Sequence, residues 1–243
     1  MIYLSMKKTL KKLPESIKLV LFDLDDTLYD EADFVKSGLG AVAEYLAVSH
    51  GLDQSAAYKA MIKHFKKQGR GKIFNQTLSE FKINPTAVLI KKLVSLYRRH
   101  RPEIKVYQGV RPLLERLKSS GLKLALVTDT NWRVQARKLN ALGIAKYFDR
   151  IIFTDKLNLK KPDLKIYRQI FKKFMVRPLE VLCVGDDPTC DFIGARTAGC
   201  QTIRIRQGRL MDLRLGPARE ADYAVKSIKE LSDFLRREKI LCE

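Results

Sequence analysis

Residues 18–28, KLVLFDLDDTL, set Asp23, Asp25 and Asp26 directly after the apolar run Leu19-Val20-Leu21-Phe22. A short apolar run of that kind forms a fully buried strand. Burying it beside three carboxylates is expensive unless a cation sits among them. Residues 181–199, VLCVGDDPTCDFIGARTAG, repeat the pattern, with an apolar strand ending in Gly185-Asp186-Asp187 and Asp191 following. Oxygen ligands suit a hard cation such as Mg²⁺. If both strands lie in one parallel sheet, both acidic ends emerge at its carboxyl edge, where open α/β sheets bind ligands. Two distant acidic strand ends would then make one cation site.

The elements that must position these residues alternate regularly. From Gly109 onward the pattern predicts a helix over 111–120 stopped by Gly121, a strand over 122–128, and a helix over 132–142 with Gly143 past its end. Further strands are predicted over 150–154, 181–185, 201–205 and 221–225, with helices over 164–174 and 192–198 and a last one ending near Arg237. Thr189 and Asp191 are both candidate caps for the 192–198 helix. Such alternation implies right-handed βαβ units and a parallel sheet, an α/β fold.

Residues 31–106 read differently. Val35, Leu39, Val42 and Leu46 recur at helical spacing, as do Tyr58, Met61, Ile62 and Phe65. Asp53 is placed to cap the second helix, Gly69-Arg70-Gly71 breaks it, and Asn84-Pro85 is the expected start of a third, whose face is Leu89, Leu93 and Leu96. The expectation is an all-helical insert.

The chain has 243 residues, 46% of them hydrophobic and 30% charged, as in a soluble globular protein with a sizeable core. No apolar run approaches the ~20 residues of a membrane span, so no membrane partner is expected. The start, MIYLSMKKTLKKLPESIK, has its apolar residues before its lysines, the reverse of a secretory signal, and reads as a basic lead-in. Cys183, Cys190, Cys200 and Cys242 show neither CxxC pairing nor zinc spacing, which suggests free thiols in a reducing cytoplasm. The net charge of +20 divides into +7 over the first 100 residues and +13 over the remaining 143. Spread in this way, it favours a generally basic surface that steers anionic substrates over a dedicated nucleic-acid site. His50, His64 and His100 all fall in the helical insert and read as helix-surface residues, which leaves a Ser-His-Asp or histidine-rich zinc site without support.

Asp23-Leu24-Asp25-Asp26-Thr27 resembles the first motif, DxDx(T/V), of the haloacid-dehalogenase-like (HAD) hydrolase superfamily, and Gly185-Asp186-Asp187 through Asp191 resembles the fourth, GDxxxxD. Between them, Leu124-Ala125-Leu126-Val127-Thr128 is similar to the second motif and Lys161-Pro162-Asp163 to the third, in the family's order. The resemblance is to phosphatase members with a helical cap between the first and second motifs. It implies a Rossmann-like α/β core over 1–30 and 107–243 and a mobile cap domain over 31–106.

The resemblance also implies roles. Asp23 is the nucleophile and a metal ligand. Asp25 is the general acid and base and gives its backbone carbonyl to Mg²⁺. Asp186 is a metal ligand, and Asp191 binds the metal directly or through water. Thr128 donates to phosphate, and Lys161 neutralises phosphate and Asp23. A carboxylate nucleophile forms an aspartyl-phosphate, and Asp25 is expected to have a raised pKa if it carries a proton. Three departures stand out: Asp129 where relatives usually have Asn, Asp187 where many have Ser, and Lys160 where many have Gly. Keeping Asp25 argues for phosphate chemistry over carbon–halogen cleavage. The expected function is Mg²⁺-dependent hydrolysis of a small phosphorylated metabolite. The rivals are a phosphomutase and a basic polyanion-binding protein without turnover. Arg70, Lys72, Phe74 and Asn75 are the candidate specificity residues, read as a Gly-flanked loop.

Overall fold

Leu19–Phe22 forms β1, fully buried at the middle of a six-stranded sheet in the computed structural model, which describes residues 17–241. Four helices follow: α1 (Glu31–His50), α2 (Gln54–Gln68), α3 (Ile73–Glu80) and α4 (Ala87–Arg99). The chain then alternates through α5 (Val110–Ser119), β2 (Lys123–Thr128), α6 (Trp132–Leu142), β3 (Arg150–Phe153), α7 (Leu164–Phe174), β4 (Val181–Gly185), α8 (Asp191–Thr197), β5 (Gln201–Ile205), β6 (Tyr223–Val225) and α9 (Ile228–Arg237). The strand order is β3-β2-β1-β4-β5-β6 and every pair is parallel. This is a Rossmann-like α/β fold, with helices on both faces of the sheet.

The period of two along each strand divides the core. Val20, Phe22, Leu124, Leu126, Leu182 and Val184 face one layer with Leu113 and Leu117 of α5 and Leu231 and Leu235 of α9. Leu19, Leu21, Ala125, Val127, Val181 and Cys183 face the other, with Ile166 and Ile170 of α7 and Ala195 of α8. Helices α1–α4 have a separate apolar cluster that includes Val35, Leu39, Val42, Leu46, Met61, Ile73, Leu78 and Leu93.

Register brings the acidic ends together. Phe22 pairs with Val184 on one side and Leu126 on the other, and Asp23 N donates to Val184 O at 2.9 Å. The chain leaves β1 for β2 and β3 on one side and returns to β4 on the other, so the order reverses at β1. Asp23, Thr128 and Asp186 therefore emerge on the same edge, at the switch point.

Several local expectations change. The stretch after Gly71 is a helix, so Phe74 and Asn75 lie on α3, because Ile73, Thr77 and Leu78 bury its inner face. The cap of α4 is Thr86, whose hydroxyl accepts from Leu89 N at 3.3 Å, and Asn84-Pro85 precedes it. Neither Thr189 nor Asp191 caps α8; the cap position is Cys190, without a side-chain capping bond, because the Thr189 and Asp191 side chains are used in the preceding turn. His100 is buried, tilted against the Phe34 ring, rather than on a helix surface. Cys183 and Cys200 are buried and Cys190 half-buried, all three free. Cys242 and most of the basic lead-in lie outside the described residues. Among the described residues no helix is long and apolar enough to cross a membrane.

Leu39 lies at the middle of the α1–α4 cluster with no exposed surface. Leu39→Ala should cost about 2–5 kcal/mol, the usual result of emptying a fully packed leucine site. A urea unfolding curve checks this, and a loss below about 1 kcal/mol would contradict the packing described.

Candidate active site

The three aspartates that follow β1 enter three environments. Asp23 turns toward Asp186 and Asp191, and one carboxylate oxygen from each of the three residues lies within 4.8 Å of the others. The cation the sequence calls for is partly supplied by Lys161. Its Nζ lies 2.5 Å from Asp23 Oδ1 and 2.7 Å from Asp191 Oδ1, and the residue is only 7% exposed. Lys160 is exposed, which settles which of the two lysines points inward. The Thr27 hydroxyl bridges Asp186 Oδ1 at 3.2 Å and Asp23 Oδ2 at 3.5 Å.

Burial pushes the Asp23 carboxyl well above the ordinary carboxylate range, and Lys161 only partly opposes it while Asp191 and Asp25 add to it. Burial, then Asp191 and Asp23, push Asp186 up in the same way. For Lys161, burial disfavours the charge, yet the Asp191 and Asp23 carboxylates outweigh it and hold the ammonium above its usual value. When all three carboxylates are ionised against the one ammonium, the oxygen-only donor set carries two negative charges. That is the charge and the chemistry of a site for one divalent hard cation.

The supporting loops explain why the residues point inward. Asp187 does not join the cluster. Its carboxylate accepts from Thr189 N at 2.8 Å and Thr189 Oγ1 at 2.6 Å, which closes the turn. Its N–H donates to Asp191 Oδ2 at 2.9 Å. Gly185 admits this arrangement because a Cβ there would lie 2.3 Å from Asp191 Oδ2. Asp129 turns away from Thr128, and its carboxylate accepts from Thr154 Oγ1 at 2.6 Å and Lys161 N at 3.3 Å. The acid that looked unfavourable beside a phosphate instead ties the backbone of Lys161 to the end of β2.

Asp25 faces α6. Its Oδ1 pairs with Lys138 Nζ at 2.6 Å and also accepts from the Tyr29 hydroxyl, and its Oδ2 accepts from Gln135 Nε2 at 2.8 Å. Burial alone would raise this carboxyl, but Lys138 and the bonds from Tyr29 and Gln135 outweigh it and hold Asp25 below its ordinary value. The expectation of a raised pKa is therefore corrected, because Lys138, 113 residues away in the chain, pairs with Asp25. Gln135 and Lys138 are both buried on α6, three residues apart, beside Leu139 and Leu142. Two polar side chains on the apolar stripe of a helix were the legible sign that something at the sheet edge needed donors. Asp26, also buried, accepts from Glu31 N at 2.9 Å and Arg209 N at 3.1 Å.

Thr128 is buried at the end of β2, beside Gln135. Above the sheet edge is a cavity of about 490 Å³ between α1, α3, α4 and α6. Arg70, Lys72, Phe74 and Asn75 all line it, as do Tyr97 and Lys138. Arg70 is tied to Glu31 at 2.7 Å, and Lys138 stands 3.5 Å from the same carboxylate. Lys138 is thus shared between the cavity wall and Asp25.

Comparison with known proteins places this geometry among relatives. The model of the haloacid dehalogenase-like hydrolase family matches residues 20–205. The chain is 30% identical over 225 residues to a glyceraldehyde 3-phosphate phosphatase of Methanocaldococcus jannaschii, covering 90% of this chain and 97% of that protein. It is 27% identical over 248 residues to a phosphoserine phosphatase of Thermus thermophilus, covering 86% and 99%. A crystal structure of a HAD phosphatase from Thermococcus onnurineus, 27% identical, superposes with a TM-score of 0.59 over 90% of this chain and 98% of that one.

The raised Asp186 carboxyl has a consequence for stability. Its folded-state pKa lies above the unfolded value, so the metal-free folded chain holds this proton more tightly than the unfolded chain does. Stability from this residue therefore falls as pH rises from the ordinary carboxylate range through the raised value. Asp186→Asn should raise the melting temperature in EDTA at neutral pH, by roughly 2–4 °C for each kcal/mol relieved. The gain should shrink as the pH is lowered toward about 4, the ordinary carboxylate range. A melting temperature below that of the parent at neutral pH in EDTA would mean that the cluster is not under charge stress.

Proposed function

Because the chain belongs to the haloacid dehalogenase-like hydrolase family and is a phosphatase, we propose that it hydrolyses a small phosphomonoester through an aspartyl-phosphate on Asp23, with Mg²⁺ as cofactor. The observation that carries the reading is the buried group of Asp23, Asp186 and Asp191 around Lys161 at the switch point. The relatives' activities on glyceraldehyde 3-phosphate and phosphoserine support a small phosphorylated metabolite as substrate.

Asp23, Asp186 and Asp191, the last directly or through water, with the Asp25 carbonyl, would hold Mg²⁺, which when bound neutralises charge so that a phosphate can approach the nucleophile. The Asp23 carboxylate attacks phosphorus. Asp25, held as a carboxylate, first takes the proton of the substrate's phosphate monoanion. A bond from Asp23 oxygen to phosphorus then forms as the bond to the alcohol oxygen breaks, and the departing oxygen takes that proton from Asp25. Asp25 then takes a proton from the water that attacks the aspartyl-phosphate, which frees Asp23 and phosphate. The carboxylate form held by Lys138, Tyr29 and Gln135 is the one that activates water. Lys161 and Thr128 bind phosphate oxygens, Lys161 as a point charge. Residues 31–106 act as the cap, and the leaving group occupies the cavity between α1, α3, α4 and α6. Arg70, Lys72, Phe74 and Asn75 would set specificity there. A cavity of about 490 Å³ suits a metabolite rather than a folded protein.

A panel of phosphorylated metabolites assayed with Mg²⁺ tests the reading. EDTA should abolish hydrolysis, Mg²⁺ should restore it, and Ca²⁺ should restore it poorly because it takes more ligands at longer range. Asp23→Asn should keep the fold and lose turnover by several orders of magnitude; near-normal turnover would exclude the aspartyl-phosphate route.

Asp25→Asn separates the two half-reactions. In single-turnover transfer to Asp23 the variant should lose more rate on an alkyl phosphate than on p-nitrophenyl phosphate, whose leaving group needs little protonation. The difference should approach the ~10²–10⁴-fold typical of general acid catalysis. Equal loss on both would remove the acid role and leave Asp25 as base alone.

A further inference from the structure

The geometry points to Gln135 as a positioning residue that aims the Thr128 hydroxyl at bound phosphate, an inference that rests on the phosphate-binding role proposed for Thr128. Gln135 is 1% exposed on the inner face of α6. Its Nε2 lies 2.6 Å from Thr128 Oγ1, 2.8 Å from Asp25 Oδ2 and 3.0 Å from the main-chain oxygen of Asp129. Heavy-atom positions alone leave the two ends of an amide interchangeable. Here the Asp129 carbonyl decides, because a carbonyl can only accept, so the nitrogen must face it. An amide nitrogen donates and does not accept, and its two protons are shared among these three oxygens. At the 2.6 Å contact Thr128 Oγ1 is therefore the acceptor, and its own proton is left for something else. Among the described residues, no protein group takes that proton.

The other end of the amide reinforces the point. Gln135 Oε1 is buried and has no hydrogen-bond partner among the described residues. An orphaned buried carbonyl is unfavourable. Turning the amide over would let Oε1 accept the Thr128 proton, but would set oxygen against oxygen at Asp129 and consume that proton inside the protein. The orientation facing Asp129 leaves, among the described residues, one acceptor unpaired and one hydroxyl proton not taken by protein. With Nε2 donating to it, the Thr128 hydroxyl is held as an acceptor, and its own proton is presented to a ligand oxygen.

Removing the amide should let the Thr128 hydroxyl turn to the acceptors that Nε2 now covers. The probe is inorganic phosphate, titrated calorimetrically in the presence of Mg²⁺ into the parent, Gln135→Met, Thr128→Val and the double variant, each checked for folding by circular dichroism. Gln135→Met should weaken phosphate binding about tenfold, the scale of one hydrogen bond to a charged group. In the Thr128→Val background the same change should weaken binding less than about twofold, because the group it acts through is gone. If Gln135→Met does not fold, Gln135→Asn serves, since its amide is one methylene too short to reach Thr128. Unchanged phosphate affinity on altering Gln135, or equal losses in both Thr128 backgrounds, would overturn the positioning role while leaving the phosphatase reading intact. A Thr128→Val variant that binds phosphate as the parent does would remove the phosphate role of Thr128, and this inference with it.

Discussion

The ammonium of Lys161, buried between Asp23 and Asp191, is the interaction on which the rest of the site depends. The parallel sheet brings two acidic strand ends to one edge, and like charges out of water repel strongly. Lys161 offsets part of that repulsion and leaves the cluster two charges short of neutrality. Burial, with the neighbouring carboxylates adding to it, raises the Asp23 and Asp186 carboxyls, and the unbalanced charge makes the cluster receptive to a divalent cation. Stability is thus traded for a prepared site, as is usual where function gathers like charges. The loop geometry serves this end. Asp129 anchors the Lys161 backbone, Asp187 closes the turn that delivers Asp191, and the absence of a Cβ at Gly185 leaves room for the Asp191 carboxylate.

The successive aspartates Asp23, Asp25 and Asp26 divide the labour of one turn. Asp23 faces the cluster, Asp25 faces α6, and Asp26 ties the turn to its surroundings. Asp26 has a left-handed backbone at φ 54° and accepts from the first residue of α1 and from Arg209. Gly208 makes that approach possible, since a Cβ there would fall 2.2 Å from Asp26 Cγ. The loop after β5 is itself held by Arg204, a side chain with no exposed surface. Its guanidinium donates to the main-chain oxygens of Asp186, Leu210 and Leu213 and to the Glu220 carboxylate. A buried arginine with these acceptors joins the end of β4 to the loop that braces the end of β1.

Lys138 links the site to the helical segment. It pairs with Asp25, approaches Glu31 at the start of α1, and lies 4.5 Å from the centre of the Phe34 ring. Glu31 in turn holds Arg70, which precedes α3. A chain of alternating charges therefore runs from the end of β1 through α6 and α1 to the wall of the cavity. Any movement of α1 against α6 would change the surroundings of Lys138, the lysine that pairs with Asp25.

Much of this was legible in the residues themselves. The two apolar runs ending in Asp23 and Asp186, and the alternation from Gly109 onward, determine a parallel sheet whose acidic ends share an edge, because strand period and βαβ handedness are local properties of the chain. The four motifs pointed to the family, and they named Lys161 as the phosphate lysine while leaving open whether Lys160 or Lys161 turns inward, which burial decides. Tertiary structure alone decided the charge state of Asp25, because Lys138 and Gln135 are 113 and 110 residues away and meet it only when α6 packs on the sheet edge. It also decided that Asp129 faces Thr154, that His100 is buried against Phe34, and that Phe74 and Asn75 lie on a helix. In each case a local preference was weak, and burial against a distant element selected the outcome.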